Sequence, residues 1–136
     1  SGIRLVAGEP DDLVGGQVVG GGGVDVLFAG TLSMPGDVLA HFDCGMVTSF
    51  RDEFEVVGAD ATLFLDDPWH SRHPVIEVRD GDGGSERIEV EFADPYACEL
   101  EELVALASGS RPARFGREDA VAQARAIEQL YAAAGS

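Results

Sequence analysis

The chain has 136 residues, enough for a domain that buries its own core without metals or disulfides. It carries 25 acidic side chains against 9 basic ones, all of them arginine, for a formal charge of −16. Such a field repels phosphate backbones and acidic head groups, which argues against nucleic acid and anionic membranes as partners, and the lack of lysine removes any lysine base, Schiff base or P-loop lysine from these residues.

An acid-rich, lysine-free surface is also the pattern of halophilic proteins, in which concentrated cations offset self-repulsion. No apolar run approaches the roughly 18 residues that span a bilayer, and the opening SGIRLVAGEP lacks the basic start and apolar core of a signal peptide, so a cytoplasmic protein is expected. Cys44 and Cys98 are far apart and read as reduced structural thiols.

Ile3 to Ala7, ended by Gly8 and Pro10, has the pattern of a last helical turn. From Leu13 to Phe92 the period is two. Val24, Val26, Phe28, Leu32 and Met34 alternate with polar residues, and Val38, Ala40, Phe42, Cys44 and Met46 repeat the even pattern after the turn Pro35-Gly36-Asp37. Matching even to even requires an odd-length loop, and three residues fit. Phe54 and Val56 pass to Leu63 and Leu65 with a change of parity, which the four residues Gly58 to Ala61 allow. A third hairpin turns through Asp80 to Ser85, setting Ile76 and Val78 toward Ile88 and Val90.

After Phe92 the period becomes helical. Asp94 is a suitable N-cap and Pro95 a suitable first residue for a helix whose stripe is Tyr96, Leu100, Leu103 and Ala107. A second helix opens near Gly116, with Glu118 and Asp119 in its first turn and the stripe Ala120, Ala124, Ile127, Tyr131 and Ala134. The expected class is α+β: one domain over residues 1–136, an open-faced, mainly antiparallel sheet of about seven strands with two C-terminal helices packed on one face.

Nucleotide fingerprints are missing, because Gly15-Gly16 and Gly20 to Gly23 lack the G-x-G-x-x-G spacing and a following helix, and no serine sits in G-x-S-x-G. Asp66, Asp67, His70 and His73 are the grouping with metal-ligand chemistry, but H-x-x-H in a loop is a weak signal and Asp-Pro initiates turns, so a turn is the better reading and no metal is expected. Trp69, the single tryptophan, suits an apolar anchor or a sugar-stacking surface equally.

"FAGTLSMPGDVLAHFDCGM", "FEVVGADATLFLDDPW", Tyr96 at the opening of a helix and "GREDAVAQARAIEQLYAAA", in that order, resemble the C-terminal domain of the Gfo/Idh/MocA-type oxidoreductases, the glucose-fructose oxidoreductase and inositol dehydrogenase family. The resemblance implies an open-faced sheet domain normally preceded by an NAD(P)-binding Rossmann domain. It implies too that the family's catalytic lysine, in a Glu-Lys-Pro motif, and the downstream Asp and His lie upstream of Ser1. No catalytic residue and no NAD or NADP contact is therefore expected here. The family usually has glycine where Ala61 stands, which raises the expectation of a positive φ at Ala61 or Asp60. By the same resemblance the full-length protein would be a sugar or polyol dehydrogenase, with halophilic pentose dehydrogenases as a fitting subgroup.

Within that frame the loop Asp66 to His73 is expected to border a sugar pocket, with Trp69, His70, Arg72 and His73 as substrate-binding candidates. The helices should cover the face bearing Val26, Phe28, Leu32, Phe42, Val56 and Leu65. The opposite face, with Leu27, Ala29, Leu39, His41, Val47, Val57 and Phe64, is more apolar than a solvated sheet, which points to a homo-oligomer through it. The other reading is a free-standing sheet domain that serves as a binding or assembly module.

Overall fold

The computed structural model describes residues 2–135. They comprise α1 (Gly2–Ala7), seven strands β1 (Asp12–Val19), β2 (Asp25–Met34), β3 (Val38–Gly45), β4 (Glu53–Val57), β5 (Ala61–Asp66), β6 (Val75–Asp80) and β7 (Ser85–Glu89), then α2 (Pro95–Ala107) and α3 (Arg117–Ala133). The order of seven strands and two C-terminal helices is as the periodicity predicts, and every pairing is antiparallel. The strands form two sheets, β1-β2-β3 and β4-β5-β6-β7. The chain divides into two compact units, one built from the segment up to Ser49 with that from Arg114 onward, the other from Phe50–Ala113.

In the first unit β2 carries the core. Phe28, Leu32 and Met34 are buried at alternate positions, and Ala126 and Leu130 of α3 are buried with them. Phe28 stacks parallel to Phe42 at 6.0 Å between centroids and meets Tyr131 edge-on at 5.2 Å. The three-residue loop expected between β2 and β3 is present, with Met34 opposite Val38 and with Gly36 and Asp37 in the left-handed region. Gly15 and Gly30, partners across β1 and β2, let α3 come close. A Cβ on Gly30 would lie 2.6 Å from the Phe42 ring and 3.0 Å from Leu130, and one on Gly15 would lie 3.0 Å from the Leu130 carbonyl.

The stripe of α3 differs from expectation. Ala120 and Ala124 are exposed, while Ala122, Gln123, Ala126 and Leu130 face inward, a rotation of about one residue. Arg4 of α1 supplies the reason. Its side chain is only 6 % exposed, and it pairs with Asp119 at 3.0 Å, Gln123 at 2.9 Å and Glu9 at 2.6 Å, which ties this face of α3 inward. The helix-like ending at Ala7 is confirmed, with Gly8 at φ 87° and its N–H on the Arg4 carbonyl.

In the second unit the β4–β5 hairpin has the predicted register, Phe54 opposite Leu65 and Val56 opposite Leu63. Its turn closes through the Gly58 N–H on the Ala61 carbonyl at 2.9 Å, and neither Ala61 nor Asp60 has a positive φ, so the glycine the family prefers is not needed here. In β6–β7, Ile76 faces Ile88 as expected, but Val78 faces Glu86, because Val90 lies beyond β7 with its N–H on the Pro74 carbonyl. Asp94 caps α2 through the N–H groups of Tyr96 and Ala97, with Pro95 in the first turn. The stripe of α2 is a correction: Tyr96, Leu100 and Leu103 are exposed, and no residue of this helix is buried. Helical spacing generates an apolar stripe, but only a partner surface buries it.

Among the expected interface residues, Leu27, Ala29, Leu39 and His41 share one face of the first sheet with Val14 and Val18. Leu39 is 75 % exposed, and Val14 and Val18 are also open. Val57 and Phe64 share a face of the second sheet. Val47 lies outside the strands, in the bend after β3, so it belongs to neither face.

Candidate functional site

Asp66 closes β5, and the chain leaves the sheet through Asp67 to Pro74. Two residues of this loop have left-handed backbone, Asp67 and Ser71, both at φ 56°, with the Ser71 N–H on the Asp67 carbonyl at 3.2 Å. Asp67 organises the loop. Its side chain is 4 % exposed and accepts three bonds from one residue: Arg72 Nε at 2.6 Å, Arg72 Nη2 at 3.0 Å and the Arg72 backbone N–H at 3.1 Å. His70 Nδ1 lies 2.8 Å from Asp67 Oδ1 and 3.3 Å from Asp52 Oδ2. The guanidinium of Arg72 holds the Asp67 carboxyl well below the usual carboxylate range, against the opposing effect of burial. Burial, together with the neighbouring Asp67 carboxylate, pushes the Asp52 carboxyl up.

Asp52 is a residue the sequence reading missed. The signal for it lay in the hairpin register, because Glu53 pairs with Asp66, and extending that register by one step sets Asp52 against Asp67. The Asp67 N–H indeed reaches the Asp52 carbonyl at 2.7 Å. The ligand atoms of Asp52, Asp67 and His70 lie within 4.8 Å of one another, so the donor set has the chemistry of a divalent-cation site. The Arg72 guanidinium nevertheless reaches both oxygens of Asp67, and it neutralises that carboxylate without an ion.

The end of β5 and the left-handed turn at Asp67 separate the four residues of the anticipated grouping. Asp67 and His70 meet Asp52, whereas Asp66 turns the other way, and its Oδ2 lies 2.7 Å from His73 Nδ1. On that second side an open cavity of about 430 Å³ is lined by Phe64, Asp66, Arg72, His73, Glu77 and Arg87, together with Pro74 and Val75. Of the substrate-binding candidates, Arg72 and His73 therefore line a cavity. Trp69 does not: its ring is 6.2 Å from Phe54, edge-on, and it is 50 % exposed. His70 is held by the two aspartates. Arg72 also lies over the Phe50 ring at 5.5 Å, and Arg79 over the Phe64 ring at 4.3 Å.

A second open cavity, of about 440 Å³, lies in the other unit and has a more acidic wall, with Glu9, Glu118 and Asp119 against Arg125. Cys44 and Cys98 are both exposed free thiols. No helix among the described residues is long and apolar enough to cross a membrane.

No family model matches the chain, and no curated protein matches it. Solved structures do. An aldose-aldose oxidoreductase from Caulobacter crescentus, complexed with glycerol, superposes with a TM-score of 0.84 over 96 % of this chain and 41 % of its own, at 19 % identity. KijD10, a 3-ketoreductase from Actinomadura kijaniata in complex with TDP-benzene and NADP, gives 0.83 over 96 % of this chain and 42 % of its own, at 21 % identity. An oxidoreductase from Agrobacterium radiobacter in complex with NAD+, L-tartaric acid and magnesium gives 0.72 over 98 % and 44 %, at 13 % identity. The chain spans less than half the length of these neighbours, and its fold is the one implied by the resemblance to the Gfo/Idh/MocA-type oxidoreductases.

Proposed function

We propose that this chain, which shares its fold with part of several oxidoreductases, is the substrate-side domain of an NAD(P)-dependent sugar or polyol oxidoreductase and is inactive by itself. The observation that carries the reading is the match of nearly the whole chain to less than half of several oxidoreductases, one bound to NADP and another to NAD+. Two features of the residues agree with it. No phosphate-binding turn and no lysine is present to hold a nicotinamide nucleotide or move a proton, and the β5–β6 loop builds one wall of an open cavity of a size suited to a small polar ligand.

In this reading Arg72 and His73 hydrogen-bond the ligand, while Asp67 and His70 hold the loop and Trp69 braces it against Phe54. Chemistry is supplied elsewhere in the full-length protein. Calorimetric titration with NADH is the test: the expected result is no binding in the micromolar range, and micromolar affinity would overturn the assignment to the non-nucleotide half.

The same reading includes self-association through the open face of the first sheet, favoured by the run of exposed Val14, Val18 and Leu39 there. Two chains of −16 repel, so association should strengthen as salt rises. Light scattering behind size exclusion in high salt tests this. The mass of one chain at every concentration would dismiss the interface.

A further inference from the structure

We infer that the cavity beside β5 and β6 receives an anionic group, a carboxylate or phosphate, borne by its carbohydrate ligand; this rests on the proposed substrate-side role of the domain. Arginine is scarce in this chain, 9 residues against 25 acids, and the field of the acids should draw each guanidinium into an ion pair. Arg4, Arg72, Arg79 and Arg111 follow that rule, with carboxylates at 2.6 to 3.8 Å, whereas Arg87, Arg114, Arg117 and Arg125 make no ion pair among the described residues, and of these four only Arg87 lines the cavity beside β5 and β6. The Arg87 side chain, which lines the cavity, makes no hydrogen bond and no ion pair among the described residues, and its charge acts only at longer range on Glu77.

The carboxylates within reach are committed. Glu77, directly across the strand pair from Arg87, accepts from Arg79 Nε at 2.9 Å, from Arg79 Nη2 at 3.3 Å and from the Ser85 hydroxyl at 3.3 Å. Asp66 is engaged by His73. Arg72, also at the cavity wall, spends Nε and Nη2 on Asp67, and its Nη1 makes no hydrogen bond among the described residues. Two guanidinium groups thus border one cavity, one of them with its whole fork free, and a planar fork of donors matches a carboxylate or phosphate through two parallel hydrogen bonds. Phe64, Pro74 and Val75 supply the apolar part of the wall, suited to the ring of a sugar. The distant acids do not defeat this, since charges beyond about 8 Å are largely screened at physiological salt.

The experiment is an amide chemical-shift titration of the isotope-labelled chain at constant ionic strength with glucose, gluconate, glucuronate and glucose 6-phosphate. The expected result is saturable shifts at Phe64, His73, Val75 and Arg87 with the anionic ligands, an affinity at least about 10-fold above that for glucose, and loss of that advantage in Arg87→Gln. Arg87 is exposed, so this variant should melt with the parent. Arg87→Lys, a point charge without the fork, should restore only part of the affinity. The tighter of gluconate or glucuronate on one hand and glucose 6-phosphate on the other names the source of the anion. If glucose binds at these residues as tightly as the anions, or Arg87→Gln changes nothing, the inference is overturned while the substrate-side reading stands. If no sugar moves these amides up to tens of millimolar, both fall.

Discussion

The two units of the molecule fold around different kinds of centre. In the first, the buried residues are apolar, Phe28, Leu32, Met34, Ala126 and Leu130, with the Arg4 side chain ion-paired beside them, and a helix closes over a sheet through two facing glycines. In the second, the one buried residue among those described is a carboxylate, Asp67, and the helix leaves its stripe open. Apolar burial is non-directional and rewards bulk, so the first unit is suited to hold shape. A buried carboxylate satisfied by one arginine and one histidine rewards direction instead, and it fixes where a particular loop points. Stability is therefore expected to be greater in the first unit, and the second to fix the orientation of its loop.

Substitutions can break this contrast, and the largest effect belongs to the apolar centre. Leu130→Ala should destabilise the chain by about 2–5 kcal/mol, the range for truncating a buried leucine. Calorimetry would show it as a large drop in Tm, and hydrogen exchange would show protection lost first in β1 to β3. Equal loss in β4 to β7 would mean that the two centres are not energetically distinct.

Asp67→Asn tests the polar centre and should act mainly on the loop. The Asp67 carboxyl is depressed on folding, so its stabilisation is present above the unfolded value of about 3.9 and is lost as pH falls through the lower folded value. The Asp52 carboxyl is raised, so its contribution is fullest below that region and declines as pH rises through the folded value. Removing the Asp67 charge should therefore flatten the fall of Tm below about pH 4, and it should expose the Arg72 amide to exchange. An unchanged acid limb would mean that Asp67 carries no linkage.

The smallest effect is expected at the cap of α2. Asp94→Ala should cost about 0.5–2 kcal/mol, seen as reduced protection confined to the first turn of that helix.

Much of this contrast was legible in the sequence, and the reason is locality. Alternation along Val24 to Met34 marks β2 because side chains of a strand point to opposite faces, and the parity of the two hairpins follows from loop length alone. Asp94 and Pro95 announce a helix start because capping is settled within four residues. The site was half legible. Asp66 to His73 was recognisable as one polar loop at a strand end, but not that the left-handed turn at Asp67 pairs Asp66 with His73 and Asp67 with His70.

What the sequence by itself determined, then, is the class of the fold, the order of its strands and three of their hairpins, the starts of the two C-terminal helices and the absence of lysine chemistry in these residues. Tertiary structure decided that the strands divide into two sheets, which stripe of α3 faces inward, that α2 buries none, that Asp52 joins Asp67, and that the Arg87 side chain lines a cavity without a hydrogen bond or ion pair. Each of these depends on residues brought together across the chain: Arg4 meets Asp119 over 115 positions, and Glu77, opposite Arg87, hydrogen-bonds Arg79 instead. Periodicity and turn chemistry are short-range, and competition for a shared partner is not.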